Sequence, residues 1–300
     1  CRFRIANKVP ELWDATTGEI TKLARFKSEG ATTRVWIDLD SLESAFIVFR
    51  ESAEEVPSIV QTDTEADLTL LADGDVSVQT QSEKASTITW SDGKISKIPA
   101  TKLPEIIDLS SDWTVHFPAQ QGAASKMAFA RLIDWTEHED DRLKYFSGTA
   151  TYTRTFKLDE FQSEGLRYIL DLGSVDVVAD VIVNGKEAGV LWMAPFEIDL
   201  TEHLERGENT LEIRITNQWA NRLIGDENFP RHDGYRKEGY VPDPNSEMPD
   251  WYVNNEPMPA GPRETFCGHG FYTKGDALEP SGLKGPVTIR YERVVKLSNN

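Results

Sequence analysis

Between Thr210 and Thr216 apolar and polar side chains alternate. Leu211, Ile213 and Ile215 fall on one face and Glu212 and Arg214 on the other. A period of two with one wet face belongs to a half-buried antiparallel strand. Two apolar runs flank Val183-Asn184-Gly185-Lys186. Asn-Gly tolerates the positive φ that a two-residue turn requires, so a tight hairpin is predicted there. Strand periods recur at 2–6, 34–39, 45–50, 68–71, 76–80, 87–90, 113–117, 149–156, 168–172 and 287–294, with Asp73-Gly74 and Asp92-Gly93 supplying turns. Helical spacing is confined to 123–132, 159–164 and a single turn at 202–205. The chain therefore reads as all-β, built as two β-sandwich units.

Two stretches break the strand spacing. Residues 53–66 are largely polar and carry Glu54, Glu55, Asp63 and Glu65 without a basic residue, as a connector does. Residues 226–275 hold seven prolines and eight aromatics with neither strand nor helix period. A structureless loop of that length is functional or disordered, and its aromatic density argues for burial against something. The expected organisation is a partial β-sandwich over 1–52, a connector with short strands over 53–104, and a jelly-roll-like sandwich over 105–300 from which 226–275 is a single excursion.

Charge and composition narrow the partners. Fifty Asp and Glu against 32 Lys and Arg leave a net charge of −18, which repels phosphate backbones and anionic lipid, so nucleic acid is not expected. No apolar run approaches the ~18 residues of a membrane span, and no membrane association is expected. Two cysteines, Cys1 and Cys267, cannot build a disulfide framework or a multi-thiolate zinc site, although one bridge between them is conceivable.

Specific strings carry a resemblance. Tyr145 to Phe156, Leu170-Asp-Leu-Gly173, Val181-Ile-Val-Asn-Gly-Lys186 and Val190-Leu-Trp192 with Pro195 resemble the galactose-binding-like sandwich of many glycoside hydrolases. Gly207 to Asn217, Asn221-Arg-Leu-Ile-Gly-Asp226 and Pro280-Ser-Gly-Leu-Lys-Gly-Pro-Val287 resemble the C-terminal region of α-L-rhamnosidases of glycoside hydrolase family 106. So does the opening, through Pro10-Glu-Leu-Trp-Asp14, Thr17-Gly18 and Ser44 to Arg50. The resemblance implies a parent reaction that removes terminal α-L-rhamnose from glycans. It also implies acid and base carboxylates on an N-terminal (β/α)8 barrel, for which this chain has no alternating strands and helices. The expectation is a non-catalytic tail that supports the barrel and contacts carbohydrate, in a periplasmic or extracellular enzyme. A lipidated Cys1 is the competing reading of the N-terminus. A self-standing carbohydrate-binding module and an independent hydrolase using loop carboxylates are the functional rivals.

The chemistry-bearing residues fit a chain without its own catalytic centre. Asp134 to Asp141 mixes carboxylates with His138, and reads as a solvated connector or, secondarily, as a structural calcium site. The histidines His116, His138, His203, His232 and His269 lack the spacing that holds zinc on one face, and no other metal or cofactor is expected. Ser281 lacks a nucleophile elbow and reads as a turn. Sugars need rings to stack on and planar polar partners for their hydroxyls. The long loop supplies both, so Asp226, Arg231, Tyr235, Trp251, Tyr252 and Arg263 are the candidate carbohydrate contacts. Trp113, Trp135, Trp192 and Trp219 lie in or beside strand patterns and are expected in the core.

Overall fold

A computed structural model describes residues 1–39, 44–54, 56–118, 126–230, 237–238, 241–242, 248–267 and 271–299, with backbone alone at 237–238 and 241–242. Its sheets pair almost throughout in antiparallel fashion, and the all-β expectation holds. The chain divides into two compact units. One comprises Cys1–Ile106, Gln162–Tyr168 and Arg290–Asn300, the other Ile107–Phe161 and Ile169–Ile289.

In the first unit, Val9, Phe26 and Val35 from the opening fifty residues share a core with Ile59, Val76, Val78, Ile88, Trp90 and Ile98. The structure thus keeps residues 1–52 and 53–106 together, where the sequence pattern suggested a partial sandwich followed by a connector. Strands such as Ser86–Trp90 explain this, because Ser86, Ile88 and Trp90 are buried while Thr87 and Thr89 face outward. Each fully buried large side chain contributes about 1.5–3 kcal/mol, and several along these strands together offset the cost of ordering the polar residues between them. The Thr288–Leu297 strand closes this unit, pairing Val294 with Gln79 and Leu297 with Val76.

The second unit is organised on a six-stranded antiparallel sheet. Its strands lie in the order Met127–Arg131, Ser111–His116, Thr149–Leu158, Gly207–Thr216, Val178–Val183 and Lys186–Leu191. Thr149–Leu158 and Gly207–Thr216 stay in register along their full length, from Thr149↔Thr216 to Leu158↔Gly207. The hairpin forms where Asn-Gly predicted it, with Asn184 at φ 52° and Gly185 at φ 77°. The Asn184 side chain also donates to His203 O and to Asn209 Oδ1, tying the turn to the next strand.

Trp113, Phe117, Trp135, Phe146 and Tyr152 build an aromatic core, with Phe117 and Phe146 ring centroids 5.0 Å apart. Buried indoles need a partner for N–H. Trp135 Nε1 donates to Tyr152 Oη at 2.6 Å and Trp113 Nε1 to Leu109 O at 2.7 Å.

Two helical expectations fail. Met127–Arg131 is a strand, because pairing of Phe129 with Trp113 buries Phe129 and overrides the alanine-rich helical spacing of 123–132. Residues 159–164 form bends and a turn because the preceding strand runs to Leu158 and Gly165 turns back at φ 75°. The single turn near 202–205 is present, with Leu204 N donating to Leu200 O.

Candidate functional site

The register of the sheet gathers several segments at one of its ends. Thr216 lies opposite both Thr149 and Val178, and Ala179 lies opposite Leu191. The residues just beyond these pairs therefore emerge together: Ser147 and Gly148, Asp176 and Val177, Trp192, and Asn217 to Trp219. Val177 N donates to Thr216 O and Asn217 N to Gly148 O, which fixes the strand ends to one another.

A buried polar network holds a further segment, 279–282, against this end. Ser281 Oγ accepts from Asn217 Nδ2 and Asn221 Nδ2, each at 3.0 Å. Ser281 N donates to Asp134 Oδ1, and Asn217 Oδ1 accepts from Gly148 N. Asn221 brackets residue 279, donating to Glu279 O and accepting from Glu279 N. Gly282 sits at φ 104°, where a Cβ would lie 2.6 Å from Trp135 Nε1, so only glycine lets the chain pass the buried indole. Ser281 is thus a structural hub, and its hydroxyl is occupied by this network.

Between these segments lies a cleft of about 110 Å³, lined by Asp176, Val177, Gln218, Asn221, Glu279, Pro280 and Ser281. Trp219, between two lining residues in sequence, is 66% exposed, and Trp192 is 53% exposed. Both were expected in the core, and the structure corrects that expectation. Trp192 falls one residue past the last paired position of its strand, and Trp219 precedes helix Ala220–Asp226, so neither has a facing layer to bury it. Trp113 and Trp135, inside the sandwich, are buried as expected.

Helix Ala220–Asp226 begins at the same end of the sheet. The sequence offers no capping side chain at Trp219 and places Gly225 inside it, which hid the helix from pattern reading. The i, i+4 pair Arg222–Asp226 was the available signal. Asp226 is fully buried and saturated: Arg222 Nη2 lies 3.0 Å from Oδ1, Thr265 N donates at 2.8 Å, and Thr265 Oγ1 and Glu264 N donate as well. Arg263 is also buried, its guanidinium reaching Glu227 Oε1 and Phe229 O, each at 2.9 Å. These two candidate sugar contacts are therefore brought together as clasps that fasten residues 263–265 to the helix and to the turn that follows it.

Trp251 and Tyr252 lie on the short helix Asp250–Val253. Their rings pack with Phe266, at centroid separations of 5.1 and 5.2 Å, leaving Tyr252 55% exposed. Arg231 and Tyr235, like His232, lie outside the described residues.

The acidic stretch Asp134 to Asp141 is spent on local structure. Asp134 Oδ1 accepts from Thr136 N and caps the helical turn Trp135–Glu137. Asp140 caps helix Asp141–Lys144 and pairs with Arg142, whose hydrogen bonds hold the carboxyl down at about 2. Among the described residues no three His, Cys, Asp or Glu side chains converge as a metal ion would require. Cys1 and Cys267 are not joined in a disulfide.

With this geometry in place, comparison with known proteins is informative. Residues 131–262 match the glycosyl hydrolase 2 galactose-binding domain-like family. This is a glycoside hydrolase-associated sandwich. A protein from Formosa agariphila named "Putative beta-glucuronidase" is 42% identical over 198 residues, covering 66% of this chain and 16% of that protein. The solved rhamnosidase from Novosphingobium sp. PP1Y is 30% identical over 97% of this chain and 21% of its own, with a TM-score of 0.62. The chain thus spans about a fifth or less of the length of either.

Proposed function

We propose that this chain is the non-catalytic β-sandwich portion of a glycoside hydrolase that removes terminal α-L-rhamnose, of the family 106 kind, in a periplasmic or extracellular enzyme. It supports a catalytic barrel supplied elsewhere in the parent protein and offers surface to the glycan. One observation carries the reading: the likeness to a solved rhamnosidase extends over 97% of the chain at a TM-score of 0.62, and so reaches into both units. The site geometry agrees. A glycosidase needs two carboxyls about 5–9.5 Å apart, one kept protonated near neutrality. At the sheet end, Asp176 pairs with Lys284 at 2.8 Å while Glu279 is exposed, so neither has the apolar enclosure that a catalytic acid requires.

A second reading, a parent acting on β-glucuronides, is favoured by the 42% identity to the Formosa protein. One pair of assays separates them. The 300-residue chain should leave aryl α-L-rhamnosides intact, while the full-length parent should hydrolyse them in preference to aryl β-D-glucuronides. The reverse preference would favour the second reading. Turnover by the 300-residue chain that disappears in Glu137→Gln or Glu139→Gln would overturn the non-catalytic reading.

A further inference from the structure

We infer that the cleft beside Trp219 is a binding site for a neutral pyranoside, with Trp219 and Trp192 as its aromatic walls and Gln218 and Glu279 as its hydroxyl readers. The inference rests on the reading that the chain belongs to a carbohydrate-acting enzyme, and it assigns a place and a ligand class within it.

Three features combine here. First, two large indoles are more than half exposed at one end of the sheet, each just past a paired strand. An exposed tryptophan leaves apolar area in water that a sugar's C–H face covers by stacking.

Second, the polar lining divides into two classes. Asn221 and Ser281 are saturated by internal hydrogen bonds and give the cleft a rigid floor. Gln218 and Glu279 line the same cleft, are exposed, and make no side-chain hydrogen bond among the described residues. A primary amide both donates and accepts, and a carboxylate accepts from two hydroxyls at once, which suits vicinal ring hydroxyls.

Third, size and charge select the ligand. Cavities that engulf a small molecule run to about 300–1,000 Å³. This one is about 110 Å³, so it admits one hydroxyl-bearing edge and leaves the ring face outside, free to meet the exposed indoles that follow the neighbouring strand ends. The lining carries Glu279 and Asp176, and Lys284 is committed to Asp176 at 2.8 Å. A uronate would bring a third carboxylate with no free cation among the described lining residues to meet it, whereas a neutral sugar brings none.

The test is saturation-transfer NMR on the 300-residue chain with methyl α-L-rhamnopyranoside, methyl β-D-galactopyranoside and D-glucuronate at millimolar concentration. Transfer to the ring C–H protons of a neutral glycoside is expected, with none to glucuronate. Trp219→Ala and Gln218→Ala should each weaken binding by about ten-fold or more, equivalent to ~1.4 kcal/mol, without moving the thermal midpoint. Trp251→Ala should leave binding in place.

Three results would overturn the inference: no transfer to either neutral glycoside, a preference for glucuronate, or binding that survives Trp219→Ala and Gln218→Ala but is lost in Trp251→Ala. Failure of the full-length parent to cleave rhamnosides would sink the enzymatic reading and leave this binding result standing.

Discussion

Asp226→Asn separates a structural carboxylate from a sugar-binding one. The native side chain is fully buried, 3.0 Å from the Arg222 guanidinium, and accepts from Thr265 N, Thr265 Oγ1 and Glu264 N. An amide of the same shape removes the charge and turns one acceptor into a donor. That donor then faces either the guanidinium or the Thr265 backbone N–H. Arg222 is itself 9% exposed, so it keeps a buried charge with Glu264 Oε1, at 3.4 Å, as its remaining acidic partner. Breaking a buried pair on one side costs about 3–5 kcal/mol. For a unit of 150–250 residues each kcal/mol moves the midpoint by about 2–4 °C, so the expected fall is roughly 6–20 °C by calorimetry. Glycoside affinity measured well below that midpoint should be unchanged. A midpoint within about 1 °C of the parent's, together with lost glycoside binding, would refute the clasp and restore Asp226 as a ligand contact.

Other outcomes follow from the same geometry. Tyr152→Phe strips the acceptor from Trp135 Nε1 and from Leu283 N, both buried, and should cost about 1–3 kcal/mol in chemical denaturation. Gly282→Ala forces a methyl against the Trp135 ring at a positive φ and should destabilise more than an alanine placed at exposed Gly275; equal midpoints would contradict the close approach. Asp140 has its pKa lowered from 3.8 to about 2 by Arg142, so its contribution is complete above the ordinary value and is lost as pH falls towards 2. Asp140→Asn should accordingly lower stability near neutrality, where the native contribution is complete, and converge with the parent as pH falls towards 2, flattening the profile across that acid window.

Local pattern told most where one face of a strand is wet. The alternation at 210–216 and the Asn-Gly turn were legible because each depends on a handful of neighbouring residues. The helix at 220–226 was hidden because its stability comes from tertiary partners, Ser147 Oγ accepting from Arg222 N and Glu264 meeting the Arg222 guanidinium. Polar composition made 53–66 look like a connector, yet Ile59 is completely buried within it.

The candidate site was legible in residue type and misplaced in space. Asp226 and Arg263 have the chemistry of sugar contacts but spend it on the protein itself. Trp192 and Trp219 look like core by their strand context, and only the register shows that the strands end before reaching them. Gln218 and Glu279 carry no motif; their significance comes from lying at the mouth of one cleft.

The strand Thr288–Leu297 has a consequence for biosynthesis. The first unit contains Cys1–Ile106, yet Val295 and Leu297 pack on its core and Arg293–Leu297 pair with Val76–Thr80. On the ribosome, residues 76–80 therefore present an unpaired edge until residues 293–297 emerge. At about 5–20 residues per second that interval is roughly 10–40 s, during which the unit is open to chaperones, proteases and neighbouring nascent chains. A stop codon shortly before residue 290 would thus injure a unit whose other strands were made about 200 residues earlier.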